Sequence, residues 1–161
     1  MKKTLSVLIL SLLPGLAMAA GEHGGHQGHD MTTMQQDMHG IGRPGTSAEV
    51  SRTIEVVMSD NMRFSPAQIE VNTGETVRFF IKNSGKATHE LVIGNLESLQ
   101  AHAEMMRQMP DMKHAEPNMI SLKPGQKGGL IWTFDQAGTV DFACLIPGHM
   151  EAGMKGRVQV M

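Results

Sequence analysis

From residue 51 onward, apolar side chains recur at alternate positions in short runs, and glycine, proline and asparagine punctuate the runs. Alternation with a period of two puts one face of an extended segment in a core and the other in solvent. Residues 51–58 form such a run, followed by a connection over 61–66 and a short run at 68–71 that stops at Asn72-Thr73-Gly74. Residues 75–83 carry β-branched and aromatic side chains where a strand accommodates them. Ser84-Gly85-Lys86 turns the chain into a further strand over 89–93. Strands are then expected over 119–122, 129–134 with Trp132, and 139–144, with a closing run from Lys155 to Met161. Short strands at this spacing, split by Gly and Pro turns, predict an all-β fold, an antiparallel β-sandwich with Greek-key connections. One segment breaks the period: residues 95–118 are rich in helix formers up to Pro110, which should stop a helix.

Upstream of the strands the character changes twice. Residues 1–19 combine Lys2 and Lys3, an apolar stretch from Leu5 to Leu16, and Ala17-Met18-Ala19, the layout of a cleaved secretory signal. The apolar stretch is too short and too interrupted by Pro14 for a membrane span. Residues 20–48 hold glycine, His23, His26, His29, Met31, Met34, Met38 and His39, with almost no aliphatic side chains before Ile41. Such a segment buries too little apolar surface to offset its ordering entropy, so a disordered tail is expected, with the folded domain over 49–161. Its imidazoles and thioethers suit metal capture; the competing description is a solvated linker.

Charge excludes one class of partner. Removing Lys2 and Lys3 lowers the 14 basic residues to 12 against 16 acidic ones, a net −4 with histidines neutral, which disfavours nucleic acid. The basic start and the absence of paired cysteines suit a bacterial periplasm. Composition then points to metal chemistry: 15 Met and 8 His stand beside a single Cys and no Tyr.

That cysteine opens a loop in which Cys144, His149 and Met154 follow at even steps of five. On a helix each step would advance about 140°, so the three would diverge, and Pro147-Gly148 would break the helix in any case. A strand ending at Cys144 and a tight loop returning through Met154 would instead bring all three around one point. Thiolate and thioether sulfur beside imidazole suit copper, and a Cys and two-His site with a weak axial Met is a recurring blue-copper arrangement. His89, at the start of an apolar run, is the candidate for the second imidazole. A buried Cys or Met is often only core filler, and zinc is the chemical rival, although structural zinc sites use several Cys or His ligands and not methionine.

The stretch from Gly85 to Ile93, with Asp141 to Met154 after it, resembles the type 1 copper cupredoxins over about residues 49–161. The separations are similar to those of the longer-loop members such as rusticyanin and auracyanin. With the His/Met-rich tail, the chain is most similar to exported cupredoxins of copper tolerance, the CopI type. The resemblance implies His89, Cys144 and His149 as equatorial ligands, Met154 as the axial ligand, and one type 1 copper. It also implies a redox partner docking near His149, ringed by Leu145, Ile146, Pro147 and Met150. Glu90 departs from the Asn or Ser that many small blue proteins carry after the first His. Facing the copper, it would favour Cu(II); facing solvent, it would change little.

In the insertion, His102 pairs with Met106 and Met105 with Met109 at helical spacing, and Met112, His114 and Met119 follow. These residues form a second, Cu(I)-preferring site or a lid over the first, or else pack Leu96, Leu99, Ala103 and Met106 against the sandwich or offer a partner contact. The expected function is periplasmic copper binding in copper tolerance, by redox cycling or copper capture, in a monomer without a membrane span. The alternative is a dedicated electron carrier to an oxidase or reductase. An enzyme is not expected, since four protein ligands leave no open metal position.

Overall fold

The structure is a computed structural model, and it describes residues 40–109 and 115–161. The signal segment, most of the His/Met-rich tail, Met112 and His114 lie outside the described residues.

Two five-stranded sheets pack face to face. The strands are β1 (Arg43–Pro44), β2 (Arg52–Ser59), β3 (Arg63–Ser65), β4 (Gln68–Val71), β5 (Glu75–Asn83), β6 (His89–Gly94), β7 (Met119–Leu122), β8 (Lys127–Phe134), β9 (Gly138–Ala143) and β10 (Lys155–Val160). One helix, α1 (Leu96–Gln108), lies between β6 and β7. The first sheet runs β1-β8-β5-β2-β3 and the second β4-β10-β9-β6-β7. The sheets are mixed rather than purely antiparallel, because β2 pairs with β5 and β4 with β10 in parallel. Alternation alone carries no strand direction, which is why the sequence pattern missed this.

The alternation does set the faces. Val56 and Met58 on β2, Val77, Phe79 and Ile81 on β5, Trp132 and Phe134 on β8, and Val158 and Val160 on β10 turn inward and are almost wholly buried. Edge-to-face ring pairs, Phe64 with Phe142 at 5.0 Å and Phe79 with Phe134 at 6.2 Å, fill the space between the sheets.

Two short strands arise where none was expected. Arg63–Ser65 pairs antiparallel with the end of β2 inside the supposed connection over 61–66. Upstream of the expected boundary at residue 49, Arg43 and Pro44 pair with Thr133 and Trp132. Ile41 is buried there, and its carbonyl accepts from Trp132 Nε1 at 2.6 Å. A Cβ on Gly42 would lie 2.1 Å from the Thr133 carbonyl, and its φ of +98° is one that glycine adopts freely. The end of the expected tail is therefore part of the sandwich.

Helix α1 starts on Asn95, whose side chain accepts from the Ser98 N–H at 2.8 Å, and it ends before Pro110. It buries Leu99, Ala103 and Met106. Leu99 and Ala103 join Val92, Ala143, Leu145 and Met150 in a second apolar cluster on the outer face of β6 and β9. Leu96, expected to pack there, is 43% exposed although its spacing continues this stripe, because it is the first residue of the helix, next to the Asn95 cap.

Candidate metal centre

The antiparallel pairing of β6 with β9 sets Val92 opposite Ala143 and so brings the start of β6 beside the end of β9. His89 and Cys144 thereby meet at one pole of the sandwich. On β6, Leu91 and Ile93 share His89's face in the core, whereas Val92 belongs to the cluster beneath the helix. The same alternation points Cys144 inward and Ala143 and Leu145 outward.

The third side chain is delivered by the loop between β9 and β10, which is folded tightly on itself. The Cys144 N–H donates to the Met154 carbonyl at 3.0 Å, and the Met154 N–H donates to the His149 carbonyl at 2.9 Å. The His149 N–H donates to the Ile146 carbonyl at 3.0 Å, across a turn in which Gly148 takes φ +87°. Arg63 Nη1 clamps the loop from outside by donating to the Ala152 carbonyl at 2.8 Å.

These elements bring donor atoms of His89, Cys144 and His149 within 4.8 Å of one another, the one such group of three among the described residues. His149 Nδ1 stands 3.2 Å from Cys144 Sγ and 3.3 Å from His89 Nδ1. Two trigonally disposed nitrogens about 2.0–2.1 Å from a shared ion stand about 3.5 Å apart, and a sulfur at about 2.3 Å stands about 3.8 Å from either, so small shifts of these side chains would admit one first-row metal ion. His89 and Cys144 are fully buried, and His149 is half-buried. Met154 is buried without remainder, and its backbone is tied to both Cys144 and His149.

Electrostatics suits a cation. Burial pushes the Cys144 thiol up to about 11, against stabilisation of the thiolate by the Glu90 and Ile146 N–H groups. Burial, and then the charge on His89, holds the His149 imidazole below its ordinary value. Desolvation thus disfavours charge on both donors in the metal-free protein, and a bound cation would reverse that preference for the thiol.

Glu90 acts through its backbone. Its N–H donates to Cys144 Sγ at 3.3 Å, while strand alternation carries its side chain to the face opposite His89 and Leu91. Its carboxylate charge still opposes ionisation of the thiol.

The expected apolar ring around His149 needs correction. Leu145 and Met150 are 1% and 8% exposed because they pack beneath α1, leaving Ile146 and Pro147 nearer the surface. Sequence reading offers a lid over the site as one alternative for the insertion, but spacing does not reveal which loop residues it covers. Arg107 of the helix also bonds Glu104 and, across to the loop, Glu151. In the insertion itself, Met106 faces the sandwich while Met109 is exposed.

Sequence reasoning also passed over Asp60. It sits between β2 and β3, and its Oδ1 lies 3.0 Å from His89 Nε2. An acidic residue in a polar turn gave no signal, because the contact depends on the loop before β6 closing over it.

Comparison with known proteins agrees with this geometry. Residues 50–161 match the model of copper binding proteins of the plastocyanin/azurin family. The chain is 51% identical over 138 residues to the copper-resistant cuproprotein CopI of Rubrivivax gelatinosus, covering 86% of this chain and 80% of that one. It is 37% identical to the CopI of Pseudomonas aeruginosa over 185 residues, 96% of this chain and 94% of that one. Among solved structures, reduced auracyanin of Roseiflexus castenholzii is similar with a TM-score of 0.59 and 28% identity, over 70% of this chain and 98% of that one. Auracyanin B shares the fold with a TM-score of 0.61 at 22% identity, over 74% and 96% of the two chains. The chain belongs to the plastocyanin/azurin family of copper-binding proteins, as a cupredoxin of the CopI type.

Proposed function

We propose that the chain is an exported type 1 copper protein of the bacterial periplasm that serves copper tolerance, by taking up copper and exchanging single electrons. The observation that carries this is the convergence of one thiol and two imidazoles at a buried pole of the sandwich. His89 Nδ1, Cys144 Sγ and His149 Nδ1 would hold the ion, with Met154 as the weak axial donor. A bound copper ion supplies a one-electron couple that thiolate and thioether favour as Cu(I) and imidazole as Cu(II).

The chain's own residues supply rigidity and access. The backbone bonds between Cys144, His149 and Met154 fix the loop, so ligand positions would change little between oxidation states. Burial of His89 and Cys144 keeps water from two donors, and half-buried His149 is the side from which a redox partner would approach. The role in copper tolerance is supported by likeness to copper-resistant cuproproteins, aligned over 80% to 99% of their own lengths. No helix among the described residues is long and apolar enough to cross a membrane.

The test is the absorption spectrum of the copper-loaded protein. An intense thiolate-to-copper visible band is expected, abolished in Cys144→Ser and shifted or weakened in Met154→Gln. A colourless protein that takes up zinc in preference to copper would refute the assignment. Deletion of the gene should lower growth on copper; unchanged tolerance with lost respiration would favour a dedicated electron carrier.

A further inference from the structure

Asp60 is a side chain outside the predicted ligand set that reaches the metal centre. Its Oδ1 lies 3.0 Å from His89 Nε2 and accepts from the Ala87 N–H at 3.2 Å, while Oδ2 accepts from the Lys86 N–H at 2.7 Å. A carboxylate held by backbone donors has no proton to give, so His89 Nε2 must donate to it. In the neutral ring that leaves the lone pair on Nδ1, the atom that faces Cys144 and His149.

The local chain is shaped around this contact. A Cβ at Gly85 would fall 2.0 Å from Asp60 Oδ1 and 3.1 Å from His89 Nε2, so only glycine lets the loop close over the pair. The adjoining Asn83 reinforces the loop. Its Nδ2 donates to the Ala87 and Leu122 carbonyls at 2.8 and 2.9 Å, and its Oδ1 accepts from the Gly85 N–H at 2.9 Å. The His89 ring is fully buried while the Asp60 side chain is 41% exposed, so the pair joins the buried donor set to the surface.

Resting on the copper assignment above, we propose that Asp60 is a positioning residue of the metal centre: it fixes the tautomer of His89 and, through its charge, biases the site toward the oxidised ion. A carboxylate behind a ligating imidazole orients the ring and raises its basicity, and removing such partners costs about 10–100-fold in metal affinity. A nearby negative charge favours the more positive of two oxidation states. The competing role is a loop staple alone, since two of the three contacts are to backbone N–H groups.

Two substitutions in the full chain separate these roles. Asp60→Asn keeps an oxygen for His89 Nε2 but removes the charge. Cu(II) affinity is expected to fall about tenfold relative to Cu(I), which raises the potential by about 59 mV for one electron, with the His89 tautomer retained. Asp60→Ala removes both functions, and 15N imidazole spectra of its apoprotein should show His89 divided between tautomers. A loop staple would lower stability in both variants yet leave potential and tautomer unchanged, and that result overturns the proposal. Should Asp60→Ala not fold, a His89 protonated at Nδ1 in the wild-type apoprotein overturns it equally. Failure of the copper assignment is separately visible, as loss of the visible band in the wild-type protein, while the apoprotein spectra still report on the Asp60–His89 bond.

Discussion

Raising the pH of the metal-free protein from 9 to 11 should destabilise it through one atom. The Cys144 thiol is fully buried, and burial moves its pKa from 9.0 to about 11, so the folded state holds its proton where the unfolded chain has released it. A group whose folded pKa is raised contributes stability that is complete below the unfolded value and disappears as pH climbs through the folded one. Between pH 9 and 11 the unfolded chain binds fewer protons, so stability falls with pH at a slope approaching 1.36 kcal/mol per pH unit, about 2 kcal/mol in all. The assay is urea unfolding of apoprotein across this range, with Cys144→Ala as the control that keeps every other alkaline group; the chain has no tyrosine to complicate it. The same proton governs loading. Burial holds the His149 imidazole below its ordinary value, so the proton released when a metal binds the thiolate between pH 8 and 10 is that of the thiol. Anaerobic Cu(I) affinity, measured by chelator competition, should therefore rise about tenfold per pH unit over that range. Parallel stability curves for wild type and Cys144→Ala, with a pH-independent Cu(I) affinity, would refute the reasoning.

Two further substitutions probe the scaffold. Leu99→Ala removes the buried side chain that packs α1 over Gly94 and the Met150 cluster, and a loss of about 2–5 kcal/mol is expected in urea unfolding, with faster amide exchange in the loop carrying His149. A loss below about 1 kcal/mol would mean that the helix is not anchored there. At Gly156 a new Cβ would lie 2.2 Å from Phe142 Cζ and 2.7 Å from the Ala67 carbonyl, so Gly156→Ala should lower stability by about 1–3 kcal/mol in a thermal scan; unchanged stability would mean that β9 and β10 yield more easily than their packing implies.

What was legible in the sequence follows from how far each interaction reaches along the chain. Gln68–Val71, Glu75–Asn83 and Met119–Leu122 were readable to the residue, because side-chain alternation and turn residues are local signals. Cys144, His149 and Met154 were readable as a group for a similar reason: one hydrogen-bonded loop holds all three, and Pro147-Gly148 excludes the helical alternative. His89 was the longer reach, justified only by the antiparallel meeting of β6 and β9. Arg43–Pro44 and Arg63–Ser65 carry too few residues to show a period, and they exist as strands because β8 and β2 offer them free edges. The helix over the metal loop was legible only as one alternative for the insertion, and the carboxylate behind His89 was invisible, since it joins segments that neither pattern nor spacing relates. Those two contacts act on the site from opposite sides. Leu145 and Met150 beneath α1 tie down the loop that bears His149, and Asp60 with Gly85 ties down the loop that leads into His89. With both loops fixed from outside, the donor positions do not depend on the ion to organise them. The apoprotein should accordingly bind copper without a large change in fold, and near-identical amide exchange in the two loops before and after loading is the measurable consequence.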